Sequence, residues 1–181
     1  MMKRLIGVCG KAGAGKDTVG KYLVSNYGYQ SYAFASGMRR AVEAMFDIPL
    51  STLEDRKKKE EVVPWIGLSP RRLMQLLGTE YGRNLVHEDI WIRHMIRRWE
   101  LLPDNCAGMV ITDVRFDNEA SAVTQLGGTL VEIVRETDAP VLPAHASEAG
   151  VHKRFNRTTI RNEGPKEFLY DMLDSWMDGK R

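Results

Sequence analysis

Short apolar runs alternate along this chain with longer stretches whose apolar residues recur every three or four positions, the pattern of strands alternating with helices. Arg4 to Cys9 is a short apolar run that reads as a buried strand. Val19, Tyr22, Leu23 and Tyr27 follow at helical spacing, separated from the strand by a glycine-rich segment. A second strand is expected at Ser31–Phe34, then a helix over Met38–Phe46 with Met38, Ala41, Val42 and Met45 on one face. Ser51, with Glu54 three residues on, has the spacing of a capping box. It would open a charged helical segment, Asp55–Glu61, whose Arg56, Lys57, Lys58 and Lys59 read as a solvated face. Ser69 before Pro70 is a stronger start signal, an N-cap followed by proline at the first helical position, with Leu73, Met74, Leu76 and Leu77 as the buried face. A further helix fits Asp89–Leu101.

From Gly108 to Val114 the pattern returns to a buried strand. A helix over Asn118–Leu126 follows, closed by Gly127 and Gly128, and then a strand at Thr129–Val134. Beyond a proline-containing loop, Glu136–His152, a strand at about Thr158–Arg161 and a helix over Pro165–Met177 complete the pattern. This alternation predicts an α/β fold: a parallel sheet covered by helices on both faces, three layers in all.

Composition changes this picture little. The 181 residues suit one domain with a single core. A content of 43% hydrophobic and 28% charged residues is that of a soluble globular protein. No stretch approaches the roughly 20 apolar residues that a membrane span needs, so no membrane partner is expected. The first apolar run follows basic residues as a leader would, but it is only about five residues long and leads into glycines, so it reads as a strand. A net charge of +2 is too small for a nucleic-acid coat, and no nucleic-acid partner is expected. Cys9 and Cys106 have neither metal-ligand spacing nor a disulfide framework, which fits a reducing, cytoplasmic setting. His87, His94 and His152 show no ligand pairing, and the four tryptophans read as core or amphipathic surface.

The glycine-rich segment carries the most chemistry. Gly10-Lys11-Ala12-Gly13-Ala14-Gly15-Lys16 matches G-x-x-x-x-G-K, followed by Asp17 where a hydroxyl residue often stands and by Thr18 one position later. Glycines let the backbone adopt positive φ, so that successive N–H groups converge on an anion. The helix that follows adds its positive dipole end, and Lys16 supplies a cation for the β- and γ-phosphates. A strand before and a helix after the motif make Gly10 to Thr18 a candidate ATP site. Magnesium would be held by Thr18, by Asp17 through water, or mainly by ATP oxygens.

Phosphoryl transfer between two anions needs their repulsion cancelled, about 4 kcal/mol per charge pair at about 4 Å and an effective dielectric near 20. Arginines are therefore informative. Asp113-Val114-Arg115 lies where a strand of an open α/β sheet is expected to end, the usual position of the ligand crevice. Arg71 and Arg72 lie in the first turn of the helix begun by Ser69, where the dipole disfavours cations; an anionic ligand or ordinary surface charge accounts for them.

Several blocks resemble the deoxynucleoside monophosphate kinases of tailed bacteriophages. They are Gly15-Lys16-Asp17-Thr18, Tyr32-Ala33-Phe34-Ala35-Ser36 and the run from Ser69-Pro70-Arg71-Arg72 through Gln75 to Glu80. Asp89-Ile90-Trp91, Thr112-Asp113-Val114-Arg115-Phe116-Asp117-Asn118-Glu119 and His145-Ala146-Ser147-Glu148 complete the likeness, which spans nearly the whole chain. The resemblance implies a P-loop nucleoside monophosphate kinase fold. Its core is expected over residues 1–35 and 105–181, a helical arm for the monophosphate over about 36–104, and a lid over about 136–153.

Carried over by position, the resemblance implies that Lys16 grips ATP and that Arg71 and Gln75 meet the monophosphate, with Arg71 on its phosphate. Asp113 is implied near magnesium or substrate, and Arg115 as a clamp at the transfer site. The resemblance further implies Arg39, Arg72 and Glu119 as substrate contacts and places Arg135, His145 and Glu148 in the lid. Gly37 and Met38 stand where the family usually has Pro-Leu ahead of the Arg39 position. The implied reaction is phosphoryl transfer from MgATP to a deoxynucleoside monophosphate in the cytoplasm, that of the host for a phage-encoded protein. A small-metabolite kinase of phosphomevalonate or dephospho-coenzyme A type, or a nucleotide-binding module without an acceptor, are the alternatives. Base preference and oligomeric state, a homodimer included, stay open.

Overall fold

The computed structural model describes residues 3–55, 57–135 and 150–179. The elements run β1 (Arg4–Cys9), α1 (Lys16–Tyr27), β2 (Tyr29–Tyr32), α2 (Phe34–Phe46), α3 (Leu50–Glu54) and α4 (Pro70–Gln75). After α4 come a π-helical stretch (Leu76–Val86), α5 (Ile90–Glu100), β3 (Gly108–Ile111), α6 (Asp117–Gln125), β4 (Thr129–Val134), β5 (Arg157–Arg161) and α7 (Lys166–Asp178). They divide into two compact units, Met1–Tyr32 with Arg98–Arg181, and Ala33–Arg97. The boundaries fall at Tyr32/Ala33 and Arg97/Arg98.

The first unit holds the five strands in the order β2-β3-β1-β4-β5, every neighbouring pair parallel. Side chains alternate across a strand, and this assigns helices to the two faces. Ile6 and Val8 share a core with Val19 and Leu23 of α1 and with Leu169, Leu173 and Met177 of α7. Gly7 faces the other way, where an added Cβ would lie 3.2 Å from Val123 of α6 and 2.9 Å from Leu130. The sheet is therefore covered on both sides, as the alternation predicts. Leu23 is fully buried in this core, and its truncation to alanine would cost about 2–5 kcal/mol.

Along its C-terminal half, α1 is clasped to α7. Tyr22 Oη donates to Asp174 Oδ1 and Oδ2 (2.8 and 2.9 Å), and Tyr27 Oη donates to Asp174 Oδ1 (2.7 Å). Tyr22 also stacks on Tyr170, with ring centroids 4.1 Å apart. Burial and the hydrogen bond to Asp174 push the Tyr27 phenol up to about 12.

The second unit packs its helices around Val42, Ile48, Leu53 and Leu73. Ser69 caps α4 as expected, its Oγ accepting the Arg72 N–H at 3.3 Å. The chain then widens into π geometry, which the apolar spacing does not foretell. Gly78 and Gly82 admit close neighbours there: added Cβ atoms would stand 2.5 Å from Met38 Sδ and 2.7 Å from the Trp91 ring. Trp91 Nε1 donates to the Gly78 carbonyl at 2.7 Å, satisfying an acceptor of the widened helix.

Three expectations need correction. The second strand is Tyr29–Tyr32 rather than Ser31–Phe34, because Gly28, at φ +70°, ends α1 and turns directly into it; Phe34 already begins α2, ahead of Met38. Ser51 is not an N-cap, since α3 starts at Leu50 with Pro49 before it. The charged segment is not a helix through Glu61: α3 stops at Glu54, and the Asp55 carboxylate accepts the Lys57 and Lys58 N–H groups (2.8 and 2.9 Å), leading into a 3-10 turn at Lys58–Glu60. Those two bonds lower the Asp55 pKa. Among the described residues no helix is long and apolar enough to cross a membrane.

Candidate active site

The segment between β1 and α1 has the backbone of an anion nest. Gly10, Gly13 and Gly15 have φ of +132°, +83° and +108°, values that L side chains rarely adopt. Gly10 is doubly constrained, since an added Cβ would stand 2.3 Å from the Ile133 carbonyl oxygen of β4. The N-cap of α1 is Gly15, which has no side chain to cap the helix start, a geometry that suits an anion at its first-turn N–H groups. Lys16 Nζ donates to the Gly10 and Lys11 carbonyls, at 2.8 Å each. Lys11 and Ala12 are exposed and Ala14 is buried; Asp17 is exposed on the first turn with half-buried Thr18 beside it.

Asn162 is a loop contact that sequence reasoning missed. It follows β5, is 6% exposed, and its Nδ2 donates to the Ala14 carbonyl at 2.8 Å. A lone asparagine after a strand reads as a turn residue, and without the fold nothing links it to a loop 148 positions away. Cys9, just before the loop, is a buried free thiol whose pKa is raised by burial and then by Glu132, so it stays protonated.

Asp113 and Arg115 lie past the end of β3 at the same sheet edge as the glycine loop. β3 ends at Ile111, short of the expected Val114, but Val114 N still donates to Val8 O (3.1 Å), keeping this segment beside β1. Asp113 is 8% exposed. Burial first, and then the Asp113 charge, raise the pKa of the neighbouring Tyr32 phenol, with Arg98 opposing. Glu119 is 2% exposed and reaches back over the start of α6, its Oε2 accepting the N–H groups of Arg115 (2.8 Å) and Phe116 (3.1 Å). Its carboxylate thus helps to shape the Arg115 segment. Asp117 ties the same segment to residues 152–154, accepting the His152 N–H at 2.8 Å and pairing with Arg154 at 2.9 Å.

Four of the remaining candidates belong to the second unit. Arg71 and Arg72 occupy the first turn of α4, and both have protein counter-charges: Arg71 Nε pairs with Glu60 and Arg72 with Glu80 at 3.0 Å. Their placement against the helix dipole is therefore balanced within the chain itself. Gln75 ends α4, half-buried. Arg39, on α2, has a buried Nε with no hydrogen-bond partner among the described residues. Arg135 is exposed just after β4, whereas His145 and Glu148 lie outside the described residues.

A parallel sheet in this order, with a glycine loop joining its central strand to the first helix, defines the class of P-loop kinases. The chain shares that fold with the shikimate kinases of Aquifex aeolicus (TM-score 0.52, 16% identity, 97% of each chain) and Acinetobacter baumannii (TM-score 0.54, 14% identity, 99% of this chain and 96% of that one). Within the class, residues 54–173 match the deoxynucleotide monophosphate kinase family. A relative from Acanthamoeba polyphaga mimivirus, provisionally named a deoxynucleotide monophosphate kinase, is 31% identical over 96% of both chains. The deoxynucleoside-5′-monophosphate kinase of Escherichia phage T5 is 27% identical over 85% of this chain and 87% of its own. The chain belongs to the deoxynucleotide monophosphate kinase family.

Proposed function

We propose that the protein transfers the γ-phosphoryl group of MgATP to the phosphate of a deoxynucleoside monophosphate, giving ADP and a deoxynucleoside diphosphate. The observation that carries this reading is the nest of three positive-φ glycines opening onto an uncapped helix start and Lys16, in a chain of this family. The bond from the γ-phosphorus to the β–γ bridging oxygen breaks, and a bond to an acceptor phosphate oxygen forms. Such transfers depend on positioning and charge stabilisation, so the work of the protein is to arrange donors and cations. Gly10 to Thr18 hold the ATP phosphates, and Lys16 leaves its two loop carbonyls to reach them. Arg115, its backbone fixed by Glu119, stabilises charge on the transferring group.

On the acceptor side, the helical unit Ala33–Arg97 serves as the monophosphate arm. Arg71 takes the acceptor phosphate, exchanging its Glu60 carboxylate for it, and Gln75, Arg72 and Arg39 add polar contacts. Magnesium, when bound, neutralises charge on the β- and γ-oxygens. Asp17, Thr18 and Asp113 are hard oxygen donors at the loop's sheet edge and fit it in kind. Among the described residues no group of three or more His, Cys, Asp or Glu side chains is arranged for a metal, so phosphate oxygens and water would complete its shell. The two buried free thiols accord with action in a reducing cytoplasm.

A coupled assay of ADP release tests the reading across deoxy and ribo monophosphates. Turnover with at least one deoxynucleoside monophosphate is expected. No turnover with any of them, with folded protein and Mg²⁺ present, overturns it.

A further inference from the structure

We infer that Asn162 is a positioning residue for the phosphate loop: by holding the Ala14 carbonyl it turns the N–H of Gly15 toward the anion. The inference rests on the reading of Gly10–Thr18 as a nucleotide site, and goes beyond it by assigning a group outside the loop that sets one of its donors.

The stereochemistry is direct. Ala14 C=O and Gly15 N–H belong to one peptide unit, and in a trans peptide the two bonds point in opposite directions. No peptide bond among the described residues is cis. Asn162 Nδ2 binds the carbonyl from the buried side, at 2.8 Å, so the Gly15 N–H is directed away from the core. The anchor is itself fixed, because Asn162 is 6% exposed and its own N–H donates to Val134 O at 2.8 Å, at the end of β4. A second observation concerns Gly15. A Cβ there would stand 2.5 Å from Asn162 Nδ2, so the missing side chain is what lets the amide reach its carbonyl. Gly15 is thus required twice, for φ of +108° and for this approach. Freed from Asn162, the peptide could rotate and present its carbonyl, a negative end, to the phosphates.

Nucleotide titration and steady-state kinetics on the full chain decide the matter. Asn162→Ala removes the donor, and the near-isosteric Asn162→Asp replaces it with an acceptor facing the Ala14 carbonyl. The expected result is MgADP binding weakened about tenfold in Asn162→Ala, equivalent to about 1.4 kcal/mol, and at least as much in Asn162→Asp. KM for ATP should rise by a similar factor while KM for the monophosphate stays within about twofold, a split that general loss of structure would not produce. MgADP affinity and ATP KM within about twofold of wild type, in a variant that melts cooperatively, overturn the inference and leave the nucleotide site standing. No MgADP binding by folded wild type overturns both. Should neither variant fold, amide NMR of the wild-type chain still decides: the Gly15 resonance should move downfield on adding magnesium pyrophosphate, and an unmoved resonance in the presence of bound pyrophosphate refutes the orientation.

Discussion

The glycine loop and the first turn of α4 both gather groups suited to anions, but they are held in different ways. The loop owes its shape to backbone: three glycines at positive φ, the Ile133 carbonyl against Gly10, and a buried asparagine on Ala14. The turn at α4 presents guanidinium groups whose partners are partly exposed carboxylates, with Arg72 and Glu80 at 44% and 40% side-chain exposure. Such pairs contribute under about 1 kcal/mol, so another anion can replace the carboxylate at little cost. A backbone nest recognises a phosphate tail of fixed geometry, whereas exchangeable side-chain pairs suit a site that must take up and release an acceptor.

Four measurements test this contrast, from the largest expected effect to the smallest. Lys16→Ala should lower kcat by about a hundredfold or more while leaving the melting temperature near wild type, since the loop's shape comes from its glycines. ADP release and thermal unfolding together check this, and near-normal turnover would remove Lys16 from the donor site. Arg71→Ala should raise KM for the monophosphate by about tenfold, the range for losing a charged hydrogen bond, with KM for ATP unchanged. Equal changes in both constants would mean that α4 does not serve the acceptor alone.

The third measurement concerns the clasp between α1 and α7. The Tyr27 pKa is raised in the folded state to about 12, so the unfolded chain loses this proton first as the pH rises. The stability it contributes is complete below about pH 10, the ordinary tyrosine value, and is lost as pH approaches 12. Tyr27→Phe should therefore be less stable at neutral pH but show a shallower alkaline decline, read from melting temperatures across that window. An unchanged alkaline slope would exclude the clasp as its source. Last, Glu60→Gln should change stability by less than about 1 kcal/mol. A larger loss in chemical denaturation would show the α4 turn to be as firmly built as the loop, and would break the contrast.

Sequence alone went further with the loop than with α4, for the same physical reason. Strand, glycines, lysine and helix are contiguous, so spacing revealed a nest whose geometry is local. The spacing predicts β4 with its observed boundaries, and the alternation of elements predicts the parallel, two-sided sheet. The partners of Arg71 and Arg72, by contrast, are Glu60 and Glu80, and the first lies across a turn that was expected to be helix. Asn162 stayed hidden because its target is distant in sequence. The π-helical stretch was invisible because spacings of three and four residues cannot distinguish it from an α-helix over so few turns.

Lys16 begins from a settled state, its ammonium shared between two carbonyls of its own loop. On the proposed reading, nucleotide arrival is an exchange of hydrogen-bond partners, and much of the attraction to the incoming phosphates is offset by contacts given up. The heat released on binding should accordingly be smaller than a bare lysine–phosphate encounter would suggest.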